Sequence, residues 1–229
     1  MENIIVSIID QYASPSTLID ANGVQSGLAH ARLGQAPDTT ADLVADLQAS
    51  SLTLIEQAVD GLLLLRANTG AAALSAALQS RCGLALSERL KSTEHARYCV
   101  RWMSPDCWLL SCPLEEAFEI ETALRDAVNE PIAIVNVSGG YSVLHLCGAD
   151  AQHVLMKSTG YDTHPEHFVE GKVVNTTFAK AQVTLRAISV DEDNARYEIV
   201  VRRSFADYML TWLQRAGQEY GLKCLATGV

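Results

Sequence analysis

The sequence has little positive charge and no long apolar run. Its 229 residues include only 17 Lys and Arg against 27 Asp and Glu, a formal charge of −10. A chain with this charge repels phosphate backbones and anionic lipid surfaces. The aliphatic run Leu62–Leu65 is far shorter than the roughly 20 apolar residues of a membrane-spanning helix. We therefore expect neither nucleic acid nor a membrane as a partner.

The N-terminus also lacks basic residues. MENIIVSIID carries Glu2 and Asp10 and has no positively charged n-region, so it does not resemble a secretory signal. The six cysteines include no C-x-x-C pair, a distribution typical of reduced, packed thiols rather than of a zinc site or a redox dithiol. Together these two observations predict a cytoplasmic protein.

The usual signatures of catalysis and cofactor binding are missing as well. There is no phosphate-binding glycine loop, no G-x-S-x-G and no H-E-x-x-H. The best metal candidate is the pair His164 and His167, with Asp162 and Glu170 nearby. Pro165 lies between the two histidines and disfavours a helix there, so a polar connecting loop is the favoured interpretation. We predict no catalytic residue, no cofactor site and no metal site in this chain.

What the chain does have is a high apolar content, 48%, arranged in a repeated pattern. From residue 52 onward a unit of strand, tight turn, strand and helix occurs four times. Its strands are predicted at 52–58 with 61–67, 96–103 with 107–112, 132–138 with 141–147, and 182–189 with 197–202 after an extra strand at 173–178. In the third unit Gly139 and Gly140 predict a hairpin turn.

Helices complete the four units. The first helix is predicted to bury Leu74, Ala77, Leu78 and Cys82. The second helix, at about 115–128, is predicted to bury Ala117, Ile120, Leu124 and Ala127. The third helix is predicted near 149–158. In the last, one apolar stripe runs through Phe205, Tyr208, Met209, Trp212, Leu213, Ala216 and Tyr220. Gly221 follows, where a left-handed residue would end the helix. This pattern predicts an α+β fold of two duplicated ferredoxin-like plaits.

The domain organisation follows from the same pattern. Residues 1–50 lack strong periodicity and are predicted to form an N-terminal arm, with a short helix near 39–49, that lies across a neighbouring subunit. The main domain is predicted at 51–229, with halves at about 51–130 and 131–229.

Several side chains suggest packing or subunit contacts rather than chemistry. Trp102 and Trp108 flank a turn, each on the apolar face of its strand, and are interpreted as core or subunit-contact aromatics. Arg202 and Arg203 precede the last helix and suit an anion, an interface carboxylate or an acidic loop equally. His145 shares a strand face with Val143 and is interpreted as a hydrogen-bonded core or interface histidine.

Several stretches, in order, resemble the gamma subunit family of heterotetrameric sarcosine oxidase. RWMSPDCWLLSCP resembles the family's W-L-G-P-D-E-W-L-L segment, and VRRSFADYMLTWL resembles its R-R-S-F-A-x-Y segment. The hairpin and helix at 135–165 resemble its S-G-P-D-A helix and D-L-H-P loop, and SGLAHA and GLALSE resemble shorter stretches. The sequence departs from the family pattern at Ser104, Cys107 and Ala149.

The resemblance implies a fold similar to the folate-binding domain of glycine-cleavage aminomethyltransferases. It also implies a complex with alpha, beta and delta subunits in which those other subunits carry FAD, FMN, NAD, zinc and tetrahydrofolate. The complex would oxidatively demethylate sarcosine or a related N-methyl amino acid. This chain would be a non-catalytic subunit, with interface or structural roles for Trp102, Trp108, Arg202, Ser204, Phe205 and Tyr208.

Two other functions stay open at this point. Sister complexes that oxidise N-methylglutamate would use a similar gamma chain. A free-standing folate-binding aminomethyltransferase-like protein would share the fold, but those enzymes place an aspartate of an Asp-Asp pair near the folate, and this sequence contains no Asp-Asp.

Overall fold

The structure is a computed structural model that describes residues 26–29, 31, 33–35, 50–58 and 60–226. The helix predicted near 39–49 lies outside these residues, as does most of the predicted arm. The strands of the described part are β1 (Gly34–Gln35), β2 (Thr53–Glu56), β3 (Gly61–Ala67), β4 (Ser92–His95), β5 (Tyr98–Ser104), β6 (Cys107–Cys112), β7 (Ile132–Asn136), β8 (Tyr141–Cys147), β9 (Val173–Phe178), β10 (Ala181–Ser189), β11 (Arg196–Arg202) and β12 (Lys223–Ala226).

Four α-helices accompany these strands in the described residues, so the predicted α+β class is confirmed. They are α1 (Ala71–Cys82), α2 (Ala117–Ala127), α3 (Ala151–Ser158) and α4 (Ala206–Ala216). Short 3-10 turns cover Leu114–Glu116, Ser138–Gly140, Arg203–Phe205 and Gln218–Tyr220. No helix among the residues described is long and apolar enough to cross a membrane.

The chain divides into two compact units, each with its own sheet. The seven-stranded unit comprises residues 139–170 and the described residues within 1–59 and 175–229, and its sheet has the order β1-β12-β2-β8-β11-β10-β9. The five-stranded unit comprises residues 60–138 and 171–174, with the order β4-β5-β6-β3-β7. One boundary between the units lies at residues 138 and 139 rather than at about 130, and β2 belongs to the unit that contains β8, because β2 pairs with β8 and β7 pairs with β3.

An apolar core fills the five-stranded unit. Alternate residues of its strands, such as Leu63, Leu65 and Leu110, pack with Leu78 of α1 and Ile120 of α2. Helix α1 ends at Gly83, which has a φ of 74° and a backbone N–H that donates to the Gln79 carbonyl. A side chain at Gly83 would also meet the His95 ring, so this helix end requires glycine.

The ends of two helices differ from the sequence prediction. Ala127, predicted to point inward, is exposed, and Val128 is buried in its place because the backbone turns extended there. Helix α4 ends at Ala216, and a 3-10 turn continues to Tyr220. Gly221 then adopts the predicted left-handed conformation, with a φ of 66°.

Two of the four predicted hairpins are present and two are wrong. Strands β5 and β6 pair locally, as do β10 and β11. In contrast, β2 and β3 lie in different sheets, and so do β7 and β8. A hairpin turn was predicted at Gly139 and Gly140, but two-residue hairpin turns of types I′ and II′ need positive φ at the first central residue or at both, and neither glycine has it. The chain forms a 3-10 turn there and passes to the other sheet.

The described part of the predicted arm contacts its own chain. Strand β1 pairs in parallel with β12, and β12 pairs in parallel with β2. The segment Ser26–Ala29 packs in the same seven-stranded unit, with Leu28 buried. At these residues the arm therefore lies on its own subunit, where backbone pairing and a buried leucine hold it.

Candidate subunit interface

The segment from Arg202 to Tyr208 brings together four of the six residues singled out in the sequence. Arg202 ends β11 opposite Tyr141 and is exposed. The chain then makes a 3-10 turn that exposes Ser204. Phe205 and Tyr208 follow at the start of α4, three residues apart and so on one helix face.

This helix face is apolar and accessible. Phe205 is 42% exposed and Tyr208 is 39% exposed, although both belong to the stripe predicted to be continuous. The buried side of α4 is formed instead by Ala206, Met209, Leu210 and Leu213. Large exposed apolar side chains are energetically costly in an isolated subunit, and they are typical of protein interfaces when they lie close together.

Hydrogen bonds hold α4 in place beneath this surface. The Tyr208 hydroxyl donates to the Ala179 carbonyl, so its ring is fixed while one side stays accessible. The Trp212 indole N–H donates to the Ser158 hydroxyl at 3.0 Å, which links α4 to the end of α3. The Tyr208 ring is therefore held on α4, and little of its side-chain entropy would be lost when it binds a partner.

The two tryptophans belong to the other compact unit. Trp108 is 7% exposed, and its indole N–H donates to the Ser87 carbonyl at 2.9 Å. Trp102 lies opposite Trp108 across the β5–β6 pair and is only partly buried against the same core. Trp108 is thus a core residue of the five-stranded unit, whereas Trp102 keeps an accessible edge.

His145 lies in a buried polar cluster, and of this cluster the sequence pattern indicated only the histidine. Its Nδ1 accepts from Arg196 at 3.1 Å, and its Nε2 lies 3.5 Å from the Glu198 carboxylate. Arg186 approaches the same carboxylate at 4.0 Å. Burial, followed by the nearby Arg196 charge, lowers the pKa of His145 to about 4, so the ring is neutral at pH 7. The core-histidine interpretation is confirmed.

Charged residues on β10 and β11 complete this cluster and were missed. Arg186 lies within TLRAI, and Glu198 lies within YEIVV, each inside an apolar strand. A charge at an inward position of such a strand was the available signal, because buried charges require partners.

The loop at 162–170 places its polar groups near one another without building a compact ligand set. His167 Nε2 lies 3.7 Å from Asp162, and His164 Nδ1 lies 3.8 Å from Glu166. Residues 165–167 form a turn rather than a helix. Within the described ranges, no three His, Cys, Asp or Glu side chains gather as metal ligands would.

All six cysteines are free thiols, and five are buried. Burial raises the pKa of Cys112 to about 12 and those of Cys82 and Cys147 to about 11. Thiolate formation at neutral pH is therefore unfavourable at these three positions.

Comparison with known proteins identifies the family. The model of the sarcosine oxidase gamma subunit family matches residues 66–219. This chain belongs to that family. The gamma subunit of sarcosine oxidase from Corynebacterium sp. strain U-96 is 32% identical over 174 residues, covering 74% of this chain and 81% of that one. The strain P-1 gamma subunit is 33% identical over 129 residues, and the match spans 56% of this chain and 60% of the relative's length.

Solved structures agree with this family assignment. A chain of the heterotetrameric sarcosine oxidase from Corynebacterium sp. U-96, in complex with pyrrole 2-carboxylate, matches with a TM-score of 0.68 at 29% identity, covering 86% of this chain and 95% of that chain. The glycine cleavage aminomethyltransferase T from Bartonella henselae matches with a TM-score of 0.55 at 14% identity, covering 80% of this chain and 50% of that chain. The second match confirms the predicted likeness of fold, and only of fold.

Proposed function

We propose that this gamma-family chain is a non-catalytic subunit of a heterotetrameric sarcosine oxidase-type complex. The observation that carries the proposal is the match to a chain of a heterotetrameric sarcosine oxidase over 95% of that chain's length. The complex oxidatively demethylates sarcosine or a related N-methyl amino acid and transfers the one-carbon unit to tetrahydrofolate. Its location is the cytoplasm.

In this proposal the redox chemistry belongs to the alpha, beta and delta partners. Those subunits hold FAD, FMN, NAD, zinc and the folate. The contribution of this chain is a surface on which the larger subunits assemble. The exposed Phe205, at the end of the 3-10 turn, and Tyr208, held on α4, are the side chains best suited to that contact, with Arg202 and Ser204 near them in sequence.

The proposed contact suits a partner with an apolar pocket and nearby acidic groups. Arg202 is exposed and lies close in sequence to two exposed aromatic residues, Phe205 and Tyr208. Aromatic and arginine side chains dominate the binding energy of many protein interfaces. Trp108 has a different role, as core of the five-stranded unit, and Trp102 supports that core from its edge.

Co-expression of the tagged chain with the other subunits tests the proposal. Wild-type chain should capture a yellow complex that oxidises sarcosine or another member of a panel of N-methyl amino acids. Phe205→Ser should lower capture by about tenfold, as expected for an interface hot spot. Phe118→Ser is the matched control, because Phe118 is 78% exposed on α2 of the other unit.

Two results would contradict the proposed subunit role, and a third would contradict only the assignment of its surface. A colourless chain that binds tetrahydrofolate by itself would favour a free-standing folate protein. A fully active flavin complex assembled without this chain would also contradict it. Equal capture by wild type and Phe205→Ser would reject the assignment of this surface and leave the subunit role intact.

A further inference from the structure

The segment Ser26–Ala29 is tied to the seven-stranded sheet by one buried carboxylate. Glu56, on β2, is 2% exposed. It accepts a hydrogen bond from the Ser26 hydroxyl at 3.0 Å and one from the Leu28 backbone N–H at 3.1 Å. Hydrogen bonds to a charged, buried acceptor are among the stronger ones in proteins. Leu28 itself is buried, so this short segment is anchored by both polar and apolar contacts.

The same segment lies directly against the beginning of α4. A Cβ atom added to Gly27 would come within 2.1 Å of the Ser142 hydroxyl, 3.0 Å of the Ala206 Cβ and 3.4 Å of the Arg203 Cγ. Only glycine permits so close an approach. The Arg203 guanidinium group also donates to the Ser26 carbonyl at 3.4 Å.

These contacts fall on one side of the candidate interface. Arg203 and Ala206 face the Ser26–Ala29 segment, and the residues around them, Ser204, Phe205 and Tyr208, are exposed. Ser26 and Arg203 are 177 positions apart in the chain, yet their segments form one local structure. The 3-10 turn spans only Arg203–Phe205, so the arginine that the segment contacts and the exposed Phe205 belong to one short turn.

We propose that Ser26–Ala29 acts as a strap that sets the position of the Arg203–Phe205 turn, and that Glu56 is its positioning residue. The strap gives Phe205 and Tyr208 the geometry in which a partner subunit of the complex binds them. This inference rests on the proposed function, and it adds the segment that allows the surface around Phe205 and Tyr208 to bind a partner subunit.

Two glycine substitutions distinguish an effect on the strap from a loss of overall stability. Gly27→Val forces the segment away from Ser142 and Ala206 without altering any exposed residue of the interface. Gly160→Val is the matched control in the same unit, because nothing lies within 4 Å of a Cβ at that position. Both variants are co-expressed with the other subunits, and amide hydrogen exchange is measured on each isolated chain.

The expected result is selective. Gly27→Val should accelerate exchange at 26–29 and 203–206 and weaken capture of the flavin subunits by about tenfold, while Gly160→Val behaves as wild type. Glu56→Ala should act in the same direction. Glu56→Gln should restore most of the capture, because its amide oxygen can still accept the Leu28 N–H.

The possible outcomes keep the two proposals distinguishable. If Gly27→Val loses its overall fold, Ser26→Ala, which removes one hydroxyl contact, is measured in its place and should show a smaller loss in the same direction. Unchanged capture with a released segment would overturn the strap and leave the subunit role standing. If wild-type chain captures no flavin subunit, both proposals fall.

Discussion

Two kinds of strand pair coexist in this chain, and they differ in how far apart their members lie in the sequence. Strands β5 and β6 form a local hairpin through a two-residue turn, and β10 and β11 form another through a longer acidic turn. Strands β2 and β3 are also close in sequence, yet they belong to different sheets, as do β7 and β8. Their partners are distant: β2 pairs with β8, and β3 pairs with β7.

The difference shows what a strand's own pattern can report. Alternation and length report that a segment is extended and which of its faces is buried. They contain no information on which other strand completes the hydrogen-bonding ladder. Distant pairing is feasible because the entropy of closing a loop grows only with the logarithm of its length.

The largest expected effect tests the local hairpin. Trp108→Ala should lower the free energy of unfolding by about 3 to 5 kcal/mol, because a buried ring and its hydrogen bond to Ser87 are both lost. Trp102→Ala, opposite it on β5, should cost about 1 to 2 kcal/mol, since that ring is only partly buried. Urea unfolding measures both, and equal losses would contradict the assignment of Trp108 to the core.

The distant β2–β8 pair is tested at Gly148. This residue follows β8 with a φ of 115°, and a Cβ there would lie 2.3 Å from the Ser51 carbonyl oxygen, just before β2. Gly148→Ala should therefore cost about 2 to 4 kcal/mol, from backbone strain and a direct clash. Thermal unfolding provides the measurement. A loss below about 0.5 kcal/mol would show that this end of the pair is free to move.

The pH dependence of stability tests the environment of His145, which lies on the same strand, β8. The folded chain resists protonation of this ring because burial and Arg196 lower its pKa to about 4, from an ordinary value of 6.5. As pH falls through 6.5 the unfolded chain binds a proton that the folded chain does not, so stability declines until the pH reaches about 4 and recovers as pH rises again. A change in pKa from 6.5 to about 4 corresponds to a contribution of about 3 kcal/mol.

Comparison of two proteins isolates this contribution from that of the carboxylates. His145→Gln cannot bind the proton, so its free energy of unfolding should fall less than that of wild type between pH 6.5 and pH 4. Urea titrations at a series of pH values give the two curves. Parallel curves would mean that His145 does not titrate differently in the folded and unfolded chains.

The smallest expected effect concerns the passage from β7 to β8. Gly139→Ala and Gly140→Ala should each change the free energy of unfolding by less than about 0.5 kcal/mol, because neither glycine has positive φ and nothing lies within 4 Å of an added Cβ. A type I′ hairpin would lose about 1 to 2 kcal/mol at each position. Losses of that size would argue for the hairpin and against the passage between sheets.

The residues of the candidate site could be predicted from the sequence, but the contacts that hold them in place could not. The segment VRRSFADYMLTWL led to Arg202, Ser204, Phe205 and Tyr208, and the structure exposes all four. Its contact with Ser26–Ala29 could not be predicted, because that contact depends on Glu56, which in the sequence is one more acid in an acidic chain. Strands β4 and β12 were also missed, since a short polar edge strand and a short mixed strand carry little periodic signal.

The sequence by itself determined most of the helices and strands, the α+β class and the family. Strands β3, β6 and β9 begin and end at the predicted residues, because local apolar spacing and turn residues specify backbone conformation. Only the tertiary structure decided which strands share a sheet, which face of α4 is covered and what Glu56 binds. These depend on groups far apart in the chain, whose burial and hydrogen bonding are satisfied only once the chain has folded.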